Sequence, residues 1–405
     1  MTAVTSTTPV VDTDERESFR ALVRAWMDDH APAKGGADDF SAVHIVSANS
    51  IEEFNEREHH AHTVTRRWQR SLFDAGLAGR SWAVEYGGAG MPVWQDHVVA
   101  EEQARYGVST KMLAIALEML PPVLFGFGTP ELRAAHLPRV IRGDESWCQL
   151  LSEPDAGSDL ASVTTIASSV AGGWAVTGQK VWTSGAGSSD FALLIARTDR
   201  TVPGRAGLSC LALDMSQPGV VVRPLRQMSG SFHFNEVFLD AVFVPETALI
   251  GGLGEGWSVL RTMLASERAA IGGGTSARSV AQLMQLARDR GRNHEPKVRQ
   301  RLAAAYAREH LLDLLQVRIA SGAVVPAAGS LTKLLYSDHA RLSADDALDI
   351  LGAAGTVASN PAAGPWLDRL LFAPGLRLGG GTDEIQRNTI AERGLGLPRE
   401  PTPRR

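Results

Sequence analysis

Apolar positions recur every three or four residues in two long stretches of this chain, and crowd into short bursts between them. In the first stretch, about residues 14 to 145, ESFRALVRAWMDDH and VVAEEQARYG each gather their apolar side chains on one helical face. SWAVEYGGAGMPVWQ interrupts them as a glycine- and proline-rich loop. The pattern changes near Trp147. WCQLLS, SVTTIASS, GGWAVTGQKVW, DFALLIART, GLSCLALDM, GVVVRPL and NEVFLDAVFVP are short apolar runs separated by turn residues, the signature of a β-rich unit. Helical spacing returns in VLRTMLASERAAI and SVAQLMQLARDR. It continues through VRQRLAAAYAREHLLDLLQVRIA and ARLSADDALDILGAAG to about residue 395. The order of helices, strands and helices argues against a doubly wound βαβ chain. It predicts a disordered N-terminus (1–12), a helical domain (13–146), a central β-domain (147–254) and a C-terminal helical domain (255–400). No fixed-period repeat is visible.

Composition narrows the function classes. The chain has 405 residues, 44% hydrophobic and 21% charged, with a net charge of −5, so no global positive field draws it to nucleic acid. Cys148 and Cys210 are its two cysteines, in no CxxC pair, which argues against a disulfide framework or a Cys-based metal site and fits a reducing compartment. The start, MTAVTSTTPVVDTDERE, lacks an apolar signal core. The longest apolar run, KMLAIALEMLPPVLFGFG, is broken by Glu118 and Pro121–Pro122 and is too interrupted to span a bilayer. The expected location is the cytoplasm, with no membrane or nucleic-acid partner.

Several motifs carry weak chemistry. Gly379, Gly380 and Gly381 in GGGTDE need bare backbone for a phosphate cradle, a plain turn or a close approach, but no GxxxxGK[ST] pattern is present. GGLGEGW, at 251–257, lacks GxGxxG spacing. EHHAH sets His59 and His62 three apart, where a solvated helix face outweighs a metal site. RDRGRNHEPKVRQR, at 288–301, reads as a solvated inter-helix turn. No GxSxG nucleophile motif occurs. Two stretches say more. LLSEPDAGSDL sits at a strand end, where Glu-Pro sets a turn and Ala-Gly lets a ligand approach the backbone beside Ser152 and Ser158. GQKVWTSGAG offers the flat face of Trp182 and the hydroxyl of Ser184. Together they point to a planar, hydrogen-bonding, phosphate-bearing cofactor.

These segments, with WQRSLFDAGLAGRSWAVEYGGAG, FNEVFLDAVFVP, GEGWSVLRTMLASERAAIG and GGGTDEIQRNTIAER, resemble the acyl-CoA dehydrogenase family over nearly the whole chain. The likeness is greatest to bacterial members of the fatty-acid and sterol-degradation type. It implies an α+β fold of three domains: N-terminal helices, a central β-barrel or sandwich, and a C-terminal four-helix bundle. It implies FAD as cofactor, an acyl-CoA substrate oxidised to the trans-2-enoyl-CoA, and electron-transferring flavoprotein as acceptor. It also implies a homotetramer or dimer, or a heterotetramer with a homologous subunit. Carried over by position, the cofactor contacts fall on Gln149, Leu151, Ser152, Gly157, Ser158, Trp182, Ser184, Thr382 and Glu384. The substrate contacts fall on Ser158, Arg268 and Gly380.

The implied chemistry needs a carboxylate to take the α-proton while hydride leaves the β-carbon. Many members carry it immediately before the Gly-Thr of the C-terminal motif, where this chain has Gly380. A minority place it on the first helix of the C-terminal domain, which here is Glu267 in LASERAAIG. Gly380 keeps its backbone N–H for the thioester carbonyl. Two features depart from the family: Arg-x-x-Phe-Gly is missing near 288–300, leaving Arg290 as a substitute, and GAAG stands at 352–355 for Gly-Gly-x-Gly. Alternatives of the same fold are an enzyme acting on a carrier-protein thioester, an oxidase or monooxygenase, and a non-catalytic partner subunit. Small residues at Ala269, Ala270 and Gly272–Gly274 hint at a bulky or branched acyl group.

Overall fold

The computed structural model describes residues 13–41, 48, 50–273, 279–321 and 327–399, with side chains throughout except at Thr13, 268–273 and Ala320. The expectation for residues 1–12 and the side chain of Arg268 lie outside the described residues.

Five helices come first: α1 (Thr13–His30), α2 (Ile51–Asp74), α3 (Trp94–Gln103), α4 (Leu120–Phe127) and α5 (Pro130–Arg142). Local chemistry sets their ends. Ser50 caps α2 by accepting from the Glu53 N–H, and Thr129 caps α5 by accepting from the Leu132 N–H. Gly143, at φ 80°, ends α5 in a left-handed turn that a side chain would strain. A π-turn, Ile115–Met119, leads into α4. Pro121 and Pro122 have no N–H to close α-type bonds to Leu117 and Glu118, and the Leu120 N–H reaches back to Ile115 O instead.

Eight strands follow: β1 (Trp147–Leu150), β2 (Ile166–Val170), β3 (Gly173–Ser184), β4 (Phe191–Arg197), β5 (Leu208–Asp214), β6 (Val220–Leu225), β7 (Phe234–Pro245) and β8 (Leu249–Ile250). They join one sheet in the order β6-β7-β3-β2-β4-β5-β8, with β1 added parallel to β4. β4 is central and its run Ala192–Ala196 is fully apolar and buried. β7 alternates buried and half-exposed residues, as a strand with one covered face does.

The last part holds α6 (Gly256–Gly273), α7 (Val280–Asp289), α8 (Pro296–Ala320), α9 (Ala328–Leu351), α10 (Gly364–Leu378) and α11 (Asp383–Thr389). One continuous core joins the sheet to α4, α5 and the start of α6, through Leu120, Val123, Leu137, Val140, Val259 and Met263. Each such buried side chain contributes roughly 1.5–3 kcal/mol. A second core lies among α7, α8, α9 and α10. Helix α9 packs against α6, α10 and α11 alike, so it is the common support of the C-terminal elements that matter below. Among the described residues, no helix is long and apolar enough to cross a membrane.

Candidate active site

The expected cofactor residues of the sheet gather at the ends of β1 and β3. Trp182 stands out. Its φ is +63°, a left-handed conformation that costs a bulky residue on the order of 1–2 kcal/mol, and its side chain is 61% exposed. The cause lies in the ladder: the β3–β7 register slips between Lys180 and Thr183, and the extra residue is thrown out of the sheet. A strained backbone that presents an exposed indole is the kind of feature that clusters at ligand sites.

The segment after β1 lies against this bulge. The Leu151 carbonyl accepts from Lys180 Nζ at 2.9 Å, and the Ser152 carbonyl accepts from the Val181 N–H at 2.9 Å. Since N–H and C=O point oppositely across a trans peptide, the Ser152 N–H is turned away from Lys180. Gln149, half-buried, donates to Met119 Sδ at 3.3 Å and ties β1 to the π-turn, which in turn packs on α6. Gly157 and Ser158 are exposed, and a Cβ added at Gly157 would meet nothing within 4 Å. Ser184 ends β3 opposite Phe234.

An aromatic row links sheet and helices. The Trp182 ring meets Phe234 edge-on at 6.1 Å, and Phe234 stacks with Phe372 of α10 at 6.4 Å. Helix α10 then ends in Gly379, Gly380 and Gly381. Gly380 and Gly381 have φ of 66° and 90°, conformations that favour glycine. Gln386 Nε2 donates to both of their carbonyls, at 2.9 and 3.1 Å, so the N–H groups of Gly381 and Thr382 face away from Gln386. Thr382 caps α11: its hydroxyl accepts from the Ile385 N–H at 3.2 Å. Glu384 is exposed in the first turn of α11 and pairs with Arg387 at 3.3 Å. Its carboxyl is lowered, first by hydrogen bonding to its own backbone N–H. Glu267 is half-buried on α6, one helix of the group that α9 supports.

The structure thus assembles two groups, Gln149, Leu151, Ser152, Trp182 and Ser184 on the sheet and Gly380, Thr382 and Glu384 at the α10–α11 turn, with Glu267 on a third element. Reading motifs one residue at a time missed what holds them. Lys180 and Glu153 lie inside the quoted motifs yet are buried, and Lys333, Asp383 and Gln386 brace the glycine turn. A lysine within the strand GWAVTGQKVW, next to Val181 and Trp182, was the available signal.

Two other motifs resolve differently. His62 is not on a solvated face: it is buried, with Nε2 2.8 Å from Ser188 Oγ, because α2 lies over the turn after β3. Burial, then Arg66, pushes its imidazole down to about 4. With Glu58, Arg66, Ser188, Val222 and Asn235 it lines a cavity of about 710 Å³. That cavity opens on the Thr183–Asn235 face of the sheet, opposite Ser184 and Phe234. Among the described residues no group of three His, Cys, Asp or Glu is placed to hold a metal. In the basic run, Arg292 pairs with Glu295 and donates to the Asp349 and Ile350 carbonyls that end α9, while Arg290 is exposed.

Comparison with known proteins agrees with this architecture. Residues 13–144, 148–242 and 254–395 match, in order, the N-terminal, middle and C-terminal domains of acyl-CoA dehydrogenase. The chain is 36% identical over 389 residues to acyl-CoA dehydrogenase IpdE1 of Mycobacterium tuberculosis, covering 95% of this chain and 98% of that one. Among solved structures, the Tcur3481-Tcur3483 steroid ACAD G363A variant superposes with a TM-score of 0.79 at 27% identity, over 96% of this chain and 100% of that one. The ChsE4-ChsE5 complex of Mycobacterium tuberculosis gives 0.76 at 25% identity, over 96% and 100%. By three successive domain matches and a full-length relative, this chain belongs to the acyl-CoA dehydrogenase family of oxidoreductases.

Proposed function

We propose that the chain catalyses FAD-dependent α,β-dehydrogenation of a bulky, ring-bearing acyl-CoA thioester. The observation that carries this reading is the exposed, strained Trp182 beside Ser152 and Ser184, a flat apolar face edged by hydrogen-bonding groups. That surface fits a tricyclic ring system: the indole covers a face, and the Ser152 N–H and the two serine hydroxyls meet polar ring edges. Gln149 and Leu151 shape the same wall, and Gly157 and Ser158 lie open where a phosphate-bearing arm passes. Thr382 and Glu384 serve the far end. An ionised Glu384 suits the ribose hydroxyls rather than the diphosphate, which would repel it.

When bound, FAD supplies the hydride acceptor. The chain's own residues do the rest. Glu267 takes the α-proton, and entry of the acyl group desolvates its carboxylate and raises its affinity for that proton. N–H groups of the Gly380–Thr382 turn hold the thioester oxygen as negative charge develops there. Ser158 contacts the pantetheine arm of the CoA. The ring-bearing substrate class rests on the steroid ACAD neighbour and on the small residues near Glu267. Electron-transferring flavoprotein is the partner that takes the electrons onward.

Glu267→Gln tests the assignment. Turnover, followed by dye reduction with a panel of straight, branched and ring-bearing acyl-CoAs, should fall by about 10²–10⁴-fold, with yellow, bound FAD retained. Unchanged turnover would remove Glu267 from the role.

A second reading, a subunit of a heteromeric dehydrogenase, is favoured by the two neighbours whose names are two-protein assemblies. It is also favoured by α8, which exposes Tyr306, Leu311, Leu314 and Val317. Protein that lacks FAD when purified alone, and gains it on co-expression with a homologous subunit, would establish it.

A further inference from the structure

Among the described residues, the two largest fully buried side chains are lysines, Lys180 and Lys333. A buried ammonium costs several kcal/mol unless it is paired and fully hydrogen-bonded. Each lysine is paired in the same way, with one carboxylate and one backbone carbonyl accepting from its ammonium. Lys180 Nζ donates to Glu153 Oε1 and to Leu151 O, both at 2.9 Å. Lys333 Nζ donates to Asp383 Oδ1 at 2.8 Å and to Arg377 O at 3.1 Å.

The sequence positions of those partners matter. Leu151 and Glu153 flank Ser152. Arg377 and Asp383 flank the Gly379–Gly381 turn and Thr382. Each lysine therefore grips both ends of a short backbone segment, and the two segments are the two walls of the proposed site. The carboxylates are held in turn. Glu153 accepts from the Thr164 N–H at 2.6 Å, Thr164 Oγ1 at 2.8 Å and the Thr165 N–H at 2.9 Å. Asp383 accepts from Arg377 Nε at 2.6 Å and Ser337 Oγ at 3.0 Å. Lys180 is also two residues before Trp182, at the point where the β3–β7 register slips. Apolar residues of similar volume commonly hold a core as well as a buried ion pair does, so stability alone does not account for two such clamps at these two places.

We propose that Lys180 and Lys333 are positioning residues, each fixing one backbone wall of the dehydrogenase site from behind. The clamp on Leu151–Glu153 sets the outward Ser152 N–H and the Trp182 bulge. The clamp on Arg377–Asp383 sets the N–H groups of the Gly380–Thr382 turn. The functional half of this inference rests on the reading under Proposed function.

The test replaces each pair by apolar residues, as Lys180→Met with Glu153→Leu and Lys333→Met with Asp383→Leu, so that no charge is left buried and unpaired. Three quantities are read: the thermal midpoint, hydrogen exchange of the flavin-free protein, and the visible spectrum and turnover with FAD. The expected result is a chain that still folds, with a midpoint lowered where Glu153→Leu leaves the Thr164 and Thr165 N–H groups without their acceptor. Amides of 150–152 and 181–185, or of 379–382, should exchange about tenfold faster. The FAD absorption band should shift, and kcat should fall by about tenfold or more with KM little changed. Unaltered exchange and an unaltered flavin spectrum in a folded double variant would overturn the proposal and leave the pairs as structural. If a double variant does not fold, Lys180→Arg and Lys333→Arg decide, since they keep the charge but change the reach to the carbonyl. Unaltered exchange in these is equally fatal. The exchange measurement needs no flavin, so an unmodified chain that takes up no FAD, either alone or co-expressed with a homologous subunit, would sink the dehydrogenase reading while exchange still decides the clamps.

Discussion

Glu153 shows at a single residue how opposing forces set a charge. Burial alone would raise its carboxyl; Lys180, Thr165 and the Thr164 N–H outweigh that and hold it at about 2, against an ordinary 4.5. Burial pushes Lys180 the other way, down to about 8, with Glu153 opposing. Both groups are therefore charged at neutral pH. A carboxyl whose folded value is depressed contributes stability that is fully present above pH 4.5 and is lost as pH falls toward 2. The unfolding free energy measured by urea titration should accordingly drop across that window, by on the order of 3 kcal/mol from this residue. Glu153→Gln, less stable at pH 7 because Lys180 is left unpaired, should fall less steeply there. An equally steep acid limb in the variant would show that other carboxylates carry it. Trp182 illustrates the opposite trade: its left-handed backbone costs stability, and the side chain so displayed covers no core.

At the scale of elements, the α10–α11 turn is shaped by its three glycines and by what reaches it from behind. A Cβ at Gly381 would lie 2.7 Å from Gln386 Nε2, on a backbone at φ 90°. Gly381→Ala should therefore cost about 1–2 kcal/mol from the left-handed strain alone, read as a fall of a few degrees in the thermal midpoint. A variant as stable as the parent would mean that the turn relaxes freely and that Gln386 does not set it. This turn was half legible beforehand. The glycine triplet announced that a side chain was unwelcome, and the missing carboxylate at Gly380 redirected attention to Glu267. Gln386 and Lys333 were invisible in that role, because their contacts join positions 5 to 50 apart that no periodicity relates. His62 was misjudged for a similar reason. Most of the residues around it in sequence are polar, but its neighbour in space is the Ser188 turn, 126 residues on.

On the whole molecule, α8 presents one row to the outside: Tyr306 stacked with His310 at 5.9 Å, then Leu314 and Val317, the last 65% exposed. Its other side, through Val298, Ala305 and Leu312, is buried. A helix apolar on two sides needs two partners, and we propose that a second subunit is the other one. Val317→Glu should then reduce the mass measured by light scattering to that of a smaller assembly, with the thermal midpoint of the subunit itself preserved. A mass unchanged by the substitution would place the subunit contact elsewhere.

The linear pattern was enough to order helices, strands and helices, because periodicity is local and survives without coordinates. Long motifs such as SEPDAGSD and GGGTDEIQR were enough to place the family. Depth was decided only in three dimensions. Lys180 and Lys333 look like surface residues in one dimension and are the largest fully buried side chains among the described residues. Whether a charge is buried depends on which distant carboxylate and carbonyl the fold brings to it, and those partners lie 27 to 50 residues away along the chain.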